Sequence, residues 1–125
     1  MIYIGLTCLI LAGIAKSIMD SLNFHMYASI FRQDKWFPAE WWNPEYSQYN
    51  KYKDGDPSKG PAFFGATTFL VWTTDAWHLF QLLWGLLSAT GYVVLGMSCP
   101  WLAIAGYALE RVVFELFWSK ILKLR

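Results

Sequence analysis

The sequence predicts an all-α fold: a polytopic membrane protein with three long transmembrane helices, or alternatively four, and an aromatic-rich interfacial loop. Three observations carry this expectation. The chain has 125 residues, of which 56% are hydrophobic and only 15% charged, against about 25% charged in soluble domains. The charges are segregated: residues 1–31 hold only Lys16 and Asp20, and residues 62–109 hold only Asp75. Between those blocks, residues 32–61 carry five basic and five acidic side chains together with Pro38, Pro44, Pro57 and Pro61. A spanning helix needs ~20 mostly apolar residues. The first block is long enough for one span and the second for two. The length corresponds to one domain. Ten basic residues stand against nine acidic ones, which excludes both a disordered polyelectrolyte and a basic nucleic-acid-binding protein.

The helices are expected at about 2–31, 63–96 and 100–122, with the polar loop at 32–61. The break in the second block falls at Met97–Pro100, because Pro suits a first helical turn, Ser98 an N-cap and Gly96 a helix end. A helix over 63–96 would be ~50 Å long, against a hydrocarbon core of ~30 Å. It must tilt, project or break, and a break near Gly85–Gly91 yields the four-span alternative. No basic residue precedes the first apolar run, so a retained anchor is expected rather than a cleaved signal. Cys8 and Cys99 both fall near the outer side and are expected as free thiols, although a pairing is open to them.

Orientation follows from the cations. Arg32, Lys35, Lys51, Lys53, Lys59, Lys120, Lys123 and Arg125 all lie in the loop or the C-terminal segment. The positive-inside rule then places the N-terminus outside and the C-terminus in the cytoplasm, in a membrane such as the bacterial inner membrane.

Seven aromatic residues crowd the loop: Trp36, Phe37, Trp41, Trp42, Tyr46, Tyr49 and Tyr52. Trp and Tyr favour the headgroup level, where a ring is half buried and its polar atom wet. A short helix is expected between Glu40 and Lys51, interrupted at Pro44, followed by turns at 54–61. The loop is then either an aromatic belt in lipid or a lid over a cytoplasmic-side pocket, with Lys51 and Lys53 meeting phosphate headgroups.

Ionisable groups inside a bilayer are costly and are candidates for function. At 100° per residue, Lys16, Asp20, Asn23 and Tyr27 fall within roughly 60° of arc, and Lys16 and Asp20 form an i,i+4 pair. Gly13, Ser17, Ser21 and His25 form a second stripe suited to close helix packing, which sets His25 nearly opposite Asp20. Asp75 and His78 share a face at i,i+3, and Arg111 and Glu115 pair at i,i+4. Counted from the cytoplasmic ends of their helices, Asp20, Asp75 and Glu110 are expected at one depth.

Such a layer suggests three chemistries. Asp75 and His78, with Asp20, Glu110 or His25, would supply carboxylate and imidazole ligands for a divalent metal (zinc, iron or manganese) that activates water. Without a metal, Asp20, Asp75 and His78 would serve as acid–base groups. A chain of such residues would also serve a proton path. Against all three stands mutual satisfaction: the pairs neutralise one another and hold the helices together.

Several runs resemble a family of small uncharacterised bacterial and phage membrane proteins. They are Ser17 to His25 with Asp20 and Asn23, then Trp42-Asn43-Pro44, then Asn50 to Lys53. Phe64 to Thr68 follows, leading to Thr74-Asp75, Trp77-His78 and Phe80-Gln81. The resemblance covers residues 16–81 and implies that Asp20, His25, Asn43, Lys51, Lys53, Asp75 and His78 belong to one site. It brings no activity with it.

The leading expectation is therefore a polar site facing the cytoplasmic leaflet that binds, and as a metal-dependent hydrolase cleaves, a lipid headgroup or small polar molecule. Asn43, Lys51 and Lys53 would hold the ligand. The alternatives are a small oligomeric channel or proton-coupled transporter, and a structural or accessory subunit. The expected partners are membrane lipid and either further copies of the chain or a larger membrane complex.

Overall fold

A computed structural model describes residues 1–32 and 35–124; of the cations that set the expected orientation, Arg125 lies outside the described residues. The described residues are helical and turn-forming, without a named strand. Three long helices pack side by side: α1 (Ile2–Phe24), α4 (Ala76–Ser98) and α5 (Pro100–Leu116), the last continued by a π-helical turn at Phe117–Ile121. Two short helices, α2 (Ala39–Trp42) and α3 (Ser47–Lys51), lie in the connection between α1 and α4, on either side of Pro44. This is the interrupted helix expected from the loop sequence.

α1 ends earlier than expected, at Phe24 rather than near 31. The chain folds back through two 3-10 turns at Met26–Ala28 and Ile30–Arg32. Phe31 is thereby buried with Leu22, Ala76 and Leu122, and its ring stacks on Trp42 at 5.0 Å. An apolar run that continues a helix and one that turns back into a core read alike in sequence.

The larger correction concerns residues 62–75, expected as the first turns of the second helix. They form turns and a 3-10 segment at Val71–Thr73. Gly65 takes φ +83°, a left-handed conformation that breaks a helix. The hydroxyls of Thr73 and Thr74 bond back to the carbonyls of Leu70 and Val71 at 2.8 and 2.7 Å, competing with helical pairing. α4 begins only after Asp75, whose side chain caps it. Its 23 residues make ~35 Å, close to one hydrocarbon thickness, so the excess length disappears. α4 also runs unbroken through Gly85 and Gly91, which removes the break required for four spans. The turn into α5 lies where expected, with Cys99 rather than Ser98 as the cap residue and Pro100 in the first turn. Cys8 and Cys99 are free thiols.

The connection and the C-terminal segment meet at one end of the bundle. The Ile30 N–H donates to the Leu122 carbonyl at 3.0 Å, and the Leu124 N–H to the Ala28 carbonyl at 2.9 Å. The loop aromatics divide. Phe37, Trp41 and Trp42 pack on the buried cluster at that end, whereas Trp36, Tyr46 and Tyr49 are exposed.

Two helices, α1 and α4, are long and apolar enough to cross a membrane. Only 11% of the most apolar stretch of α4 is buried within the chain, against 39% for α1. Leu82, Leu86, Val93 and Met97 of α4 point outward, as do Trp101, Ile104, Val112 and Leu116 of α5.

Glycines set how closely the helices approach. A Cβ on Gly13 would stand 2.7 Å from the Glu110 carbonyl oxygen of α5. On Gly91 it would lie 2.6 Å from Leu9, and on Gly106 2.5 Å from the same side chain. Leu9 is completely buried in the gap these glycines leave. Gly85 and Gly96 have nothing within 4 Å of an added Cβ. Gly13→Ala is therefore expected to lower thermal stability in detergent, because the obstacle is backbone. Gly85→Ala should be neutral or stabilising by up to ~1 kcal/mol from helix propensity. Circular dichroism melts of the two variants against the parent check this contrast.

Candidate functional site

Asp75 is the N-cap of α4, with extended backbone (φ −161°, ψ 163°). Its carboxylate accepts the backbone N–H of His78 at 3.0 Å, satisfying a helix-start donor. The imidazole of the same His78 turns back, so that Nδ1 lies 2.9 and 2.8 Å from the two carboxylate oxygens. The Thr74 hydroxyl lies 3.0 Å from Oδ2 and 2.7 Å from the Val71 carbonyl, so its one proton is shared between the two acceptors. The Ser47 hydroxyl, from α3, donates to Oδ2 at 2.7 Å. The residue is only 1% exposed, so the carboxylate is a buried anion met by donors on several sides. The Asn50 amide, one turn along α3, donates to the Thr74 carbonyl at 2.8 Å and to the Glu40 carbonyl at 2.7 Å. Ser47 and Asn50 together fasten the loop to the start of α4.

Burial pushes the Asp75 carboxyl up, but the His78 ring and N–H and the Ser47 hydroxyl outweigh it and lower it to about 2. An ionised Asp75 accepts a hydrogen bond from Nδ1–H, which leaves Nε2 as the second functional nitrogen of His78. The His78 side chain keeps 17% exposure and lines a groove of about 340 Å³ with Thr68, Phe69, Trp72, Gln81 and Leu82. The arrangement is a carboxylate-oriented imidazole able to exchange protons with a groove ligand or to hydrogen-bond it.

The other expected site residues fall elsewhere. Asp20 pairs with Lys16 at 2.7 Å, and the Lys16 ammonium also lies 5.2 Å over the Trp84 ring. Glu110 is buried on α5 against a polar stripe of α4: Trp84 Nε1 donates at 2.9 Å, Ser88 Oγ at 3.2 Å, and the Tyr92 hydroxyl donates to the second oxygen. These donors lie nine to seventeen residues beyond Asp75, ~14–26 Å along the axis. The common depth expected for Asp20, Asp75 and Glu110 therefore fails, because Asp75 sits at the start of α4 rather than several turns inside it.

His25 stands at the end of α1 with its ring 4.7 Å from that of Trp118. Asn43 is buried in the loop, where its side-chain oxygen accepts the Glu45 N–H at 3.0 Å and orders the turn at Pro44. Lys51 is half-buried at the end of α3, and Lys53 is exposed in the following turn. None of Asn43, Lys51 and Lys53 lines the His78 groove.

The expected ligand set of Asp75, His78, Asp20, His25 and Glu110 does not assemble. Among the described residues no three His, Cys, Asp or Glu side chains are grouped to hold a metal. Asp75 and His78 do come together, with the imidazole Nδ1 on the Asp75 carboxylate. The local pairs do form at their expected spacings: Lys16–Asp20, Asp75–His78 and Arg111–Glu115. The expected packing stripe forms in part, with Gly13 against α5 and Ser17 and Ser21 buried, whereas His25 lies past the end of α1 and is exposed.

Sequence reading missed the donors. Trp84, Ser88 and Tyr92 repeat at four-residue spacing and were open to detection as a polar stripe in an apolar helix. Ser47 was not, because only the tertiary fold carries it 28 residues to Asp75.

Two outcomes follow. The folded carboxyl of Asp75 lies below its ordinary 3.8, so the stabilisation it contributes is complete above that value. It is lost as pH falls through about 2. Thermal stability should drop between about pH 4 and 2, and Asp75→Asn should flatten that part of the profile. Ser47→Ala removes a charge-assisted donor and should cost about 1.5–3 kcal/mol in chemical unfolding, with the long helices retained by circular dichroism.

Against protein-family models, curated proteins and solved structures, the chain matches none.

Proposed function

We propose that the chain is an integral membrane protein in which α1, α4 and α5 cross the bilayer together. α4 is apolar yet leaves most of its surface unpaired within the chain, and lipid is the natural cover for such a face. α5, with its π-helical turn, runs beside the other two between the same two ends. Its one buried acid, Glu110, is hydrogen-bonded by α4. The described cations of the loop and C-terminal segment gather at one end, which supports a cytoplasmic loop and an external N-terminus.

The function we assign is binding, and acid–base hydrolysis, of a polar lipid headgroup or small polar molecule in the His78 groove. The observation that carries it is the buried Asp75 carboxylate holding His78 Nδ1. This fixes the ring and leaves Nε2 to take a proton from the water whose oxygen bonds to the phosphoryl or acyl centre of the ligand, and to return it to the alcohol oxygen that departs. The groove lies at the loop end of α4, which the proposed topology sets at the headgroup level of the cytoplasmic leaflet.

A second reading is a structural subunit without chemistry. It is favoured by the private partner that each of Asp20, Asp75 and Glu110 possesses.

Alkaline carbonate should leave the full chain in the membrane pellet; its release into the supernatant would overturn the topology. For the chemistry, the protein is reconstituted in vesicles of phosphatidylethanolamine and phosphatidylglycerol, and released headgroup and remaining lipid are measured by mass spectrometry. Turnover by the parent, lost by at least tenfold in a folded His78→Gln variant, is the expected result. Identical product in parent and His78→Gln, or none in either, would favour the structural reading.

A further inference from the structure

A second cavity, of about 110 Å³, lies between the end of α1 and the π-helical turn after α5. Ser21, His25, Ser29, Trp118, Ser119 and Lys123 line it. A shallower depression formed by Ser119, Lys120, Lys123 and Leu124 adjoins it. Its walls are well fixed. The Leu122 N–H donates to the Phe117 carbonyl five residues back at 2.9 Å, closing the π turn, and the backbone bonds of Ile30 and Leu124 clamp the C-terminal segment onto the chain after α1. Such wide turns recur at functional sites because they re-aim side chains.

We propose that this cavity binds a phosphate group, with Lys123, His25 and Ser21 as donors and Lys120 at its mouth. The charge balance points to an anion: among the described residues, the lining of the two depressions holds Lys120, Lys123 and His25 and no carboxylate. Glu115, two residues before the π segment, turns its side chain to Arg111 at 3.3 Å. The hydroxyls of Ser29 and Ser119 are occupied by the carbonyls of Met26 and Glu115, whereas no bond of that kind engages Ser21 among the described residues. The His25 ring lies tilted at 55° against that of Trp118, 4.7 Å between centroids, so a ring N–H can be presented into the cavity. The carbonyls that end α1 and the π turn contribute negative potential, and Lys120 and Lys123 offset it. Two sources share this chemistry, inorganic phosphate and the phosphate of a lipid headgroup. The binding itself is independent of the His78 reading; only the lipid source rests on the proposed topology.

The chain has two histidines, so side-chain NMR of histidine-labelled protein in detergent reports on each site separately. His25 and His78 signals are assigned with His25→Gln and His78→Gln. The full chain is titrated with inorganic phosphate, with a short-chain phosphatidylglycerol, and with sodium chloride at matched ionic strength. A saturable shift of His25 with one or both phosphate probes, absent with chloride, is expected. Loss of affinity by about tenfold in Lys123→Ala, with no change in Lys59→Ala, completes the expected result. A response to the lipid alone identifies the headgroup as the source, and a response to both identifies the phosphate as sufficient. No His25 shift with either probe, a shift equal to that with chloride, or a shift confined to His78 would overturn the proposal. If the His78 reading fails but His25 still responds, the phosphate site stands alone.

Discussion

The buried carboxylate of Asp75 is the constraint on which the architecture turns. An isolated anion removed from water costs several kcal/mol unless it is fully hydrogen-bonded. Here the donors come from three places: the first turn of α4, the residue before it and α3 of the loop. Meeting that requirement sets where α4 starts and anchors the loop across the end of the bundle. It also turns the His78 ring so that one nitrogen is committed and the other is not. The helix start and the candidate chemistry are therefore one arrangement.

Glu110 shows the same physics in the interior. Its carboxylate is shielded by an indole, a serine hydroxyl and a phenol presented on successive turns of α4. All three donors are neutral, so the carboxyl group is met by dipoles rather than paired with a cation. Lys16 reaches the same neighbourhood only through the Trp84 ring, because its own charge is met by Asp20. Polar contacts between helices in bilayers are often worth only ~0.6–2 kcal/mol each. Dispersing three carboxylates into three separate networks thus avoids the mutual repulsion that a single layer would impose.

Close packing and polar satisfaction reinforce each other. Gly13 brings α1 against the backbone of α5 at Glu110, and Gly91 and Gly106 admit Leu9 between α4 and α5. Without a Cβ at these places the helices approach closely enough for the short side chain of Ser88, as well as the longer Tyr92, to meet Glu110. The outer faces of α4 and α5 are left to large apolar residues. Specific contacts are thus concentrated inside a thin three-helix bundle, with a nonspecific apolar exterior.

Interactions that repeat along one helix were legible in the sequence. Charge segregation located the apolar blocks, four-residue spacing paired Lys16 with Asp20 and Arg111 with Glu115, and three-residue spacing paired Asp75 with His78. Proline and glycine marked the turn between α4 and α5 and the interruption of the loop helix. Each of these depends on geometry repeating within a few residues of the chain. Tertiary structure decided the rest. Burial of Phe31 against Trp42 ended α1 early, and the turns at 62–74 moved Asp75 from the middle of an expected helix to its first position. Ser47 was brought to Asp75 and Trp118 to His25, while His25 and Glu110 were kept away from Asp75. Those outcomes depend on which distant groups satisfy a buried charge or fill a core, and local apolar or polar character does not specify them.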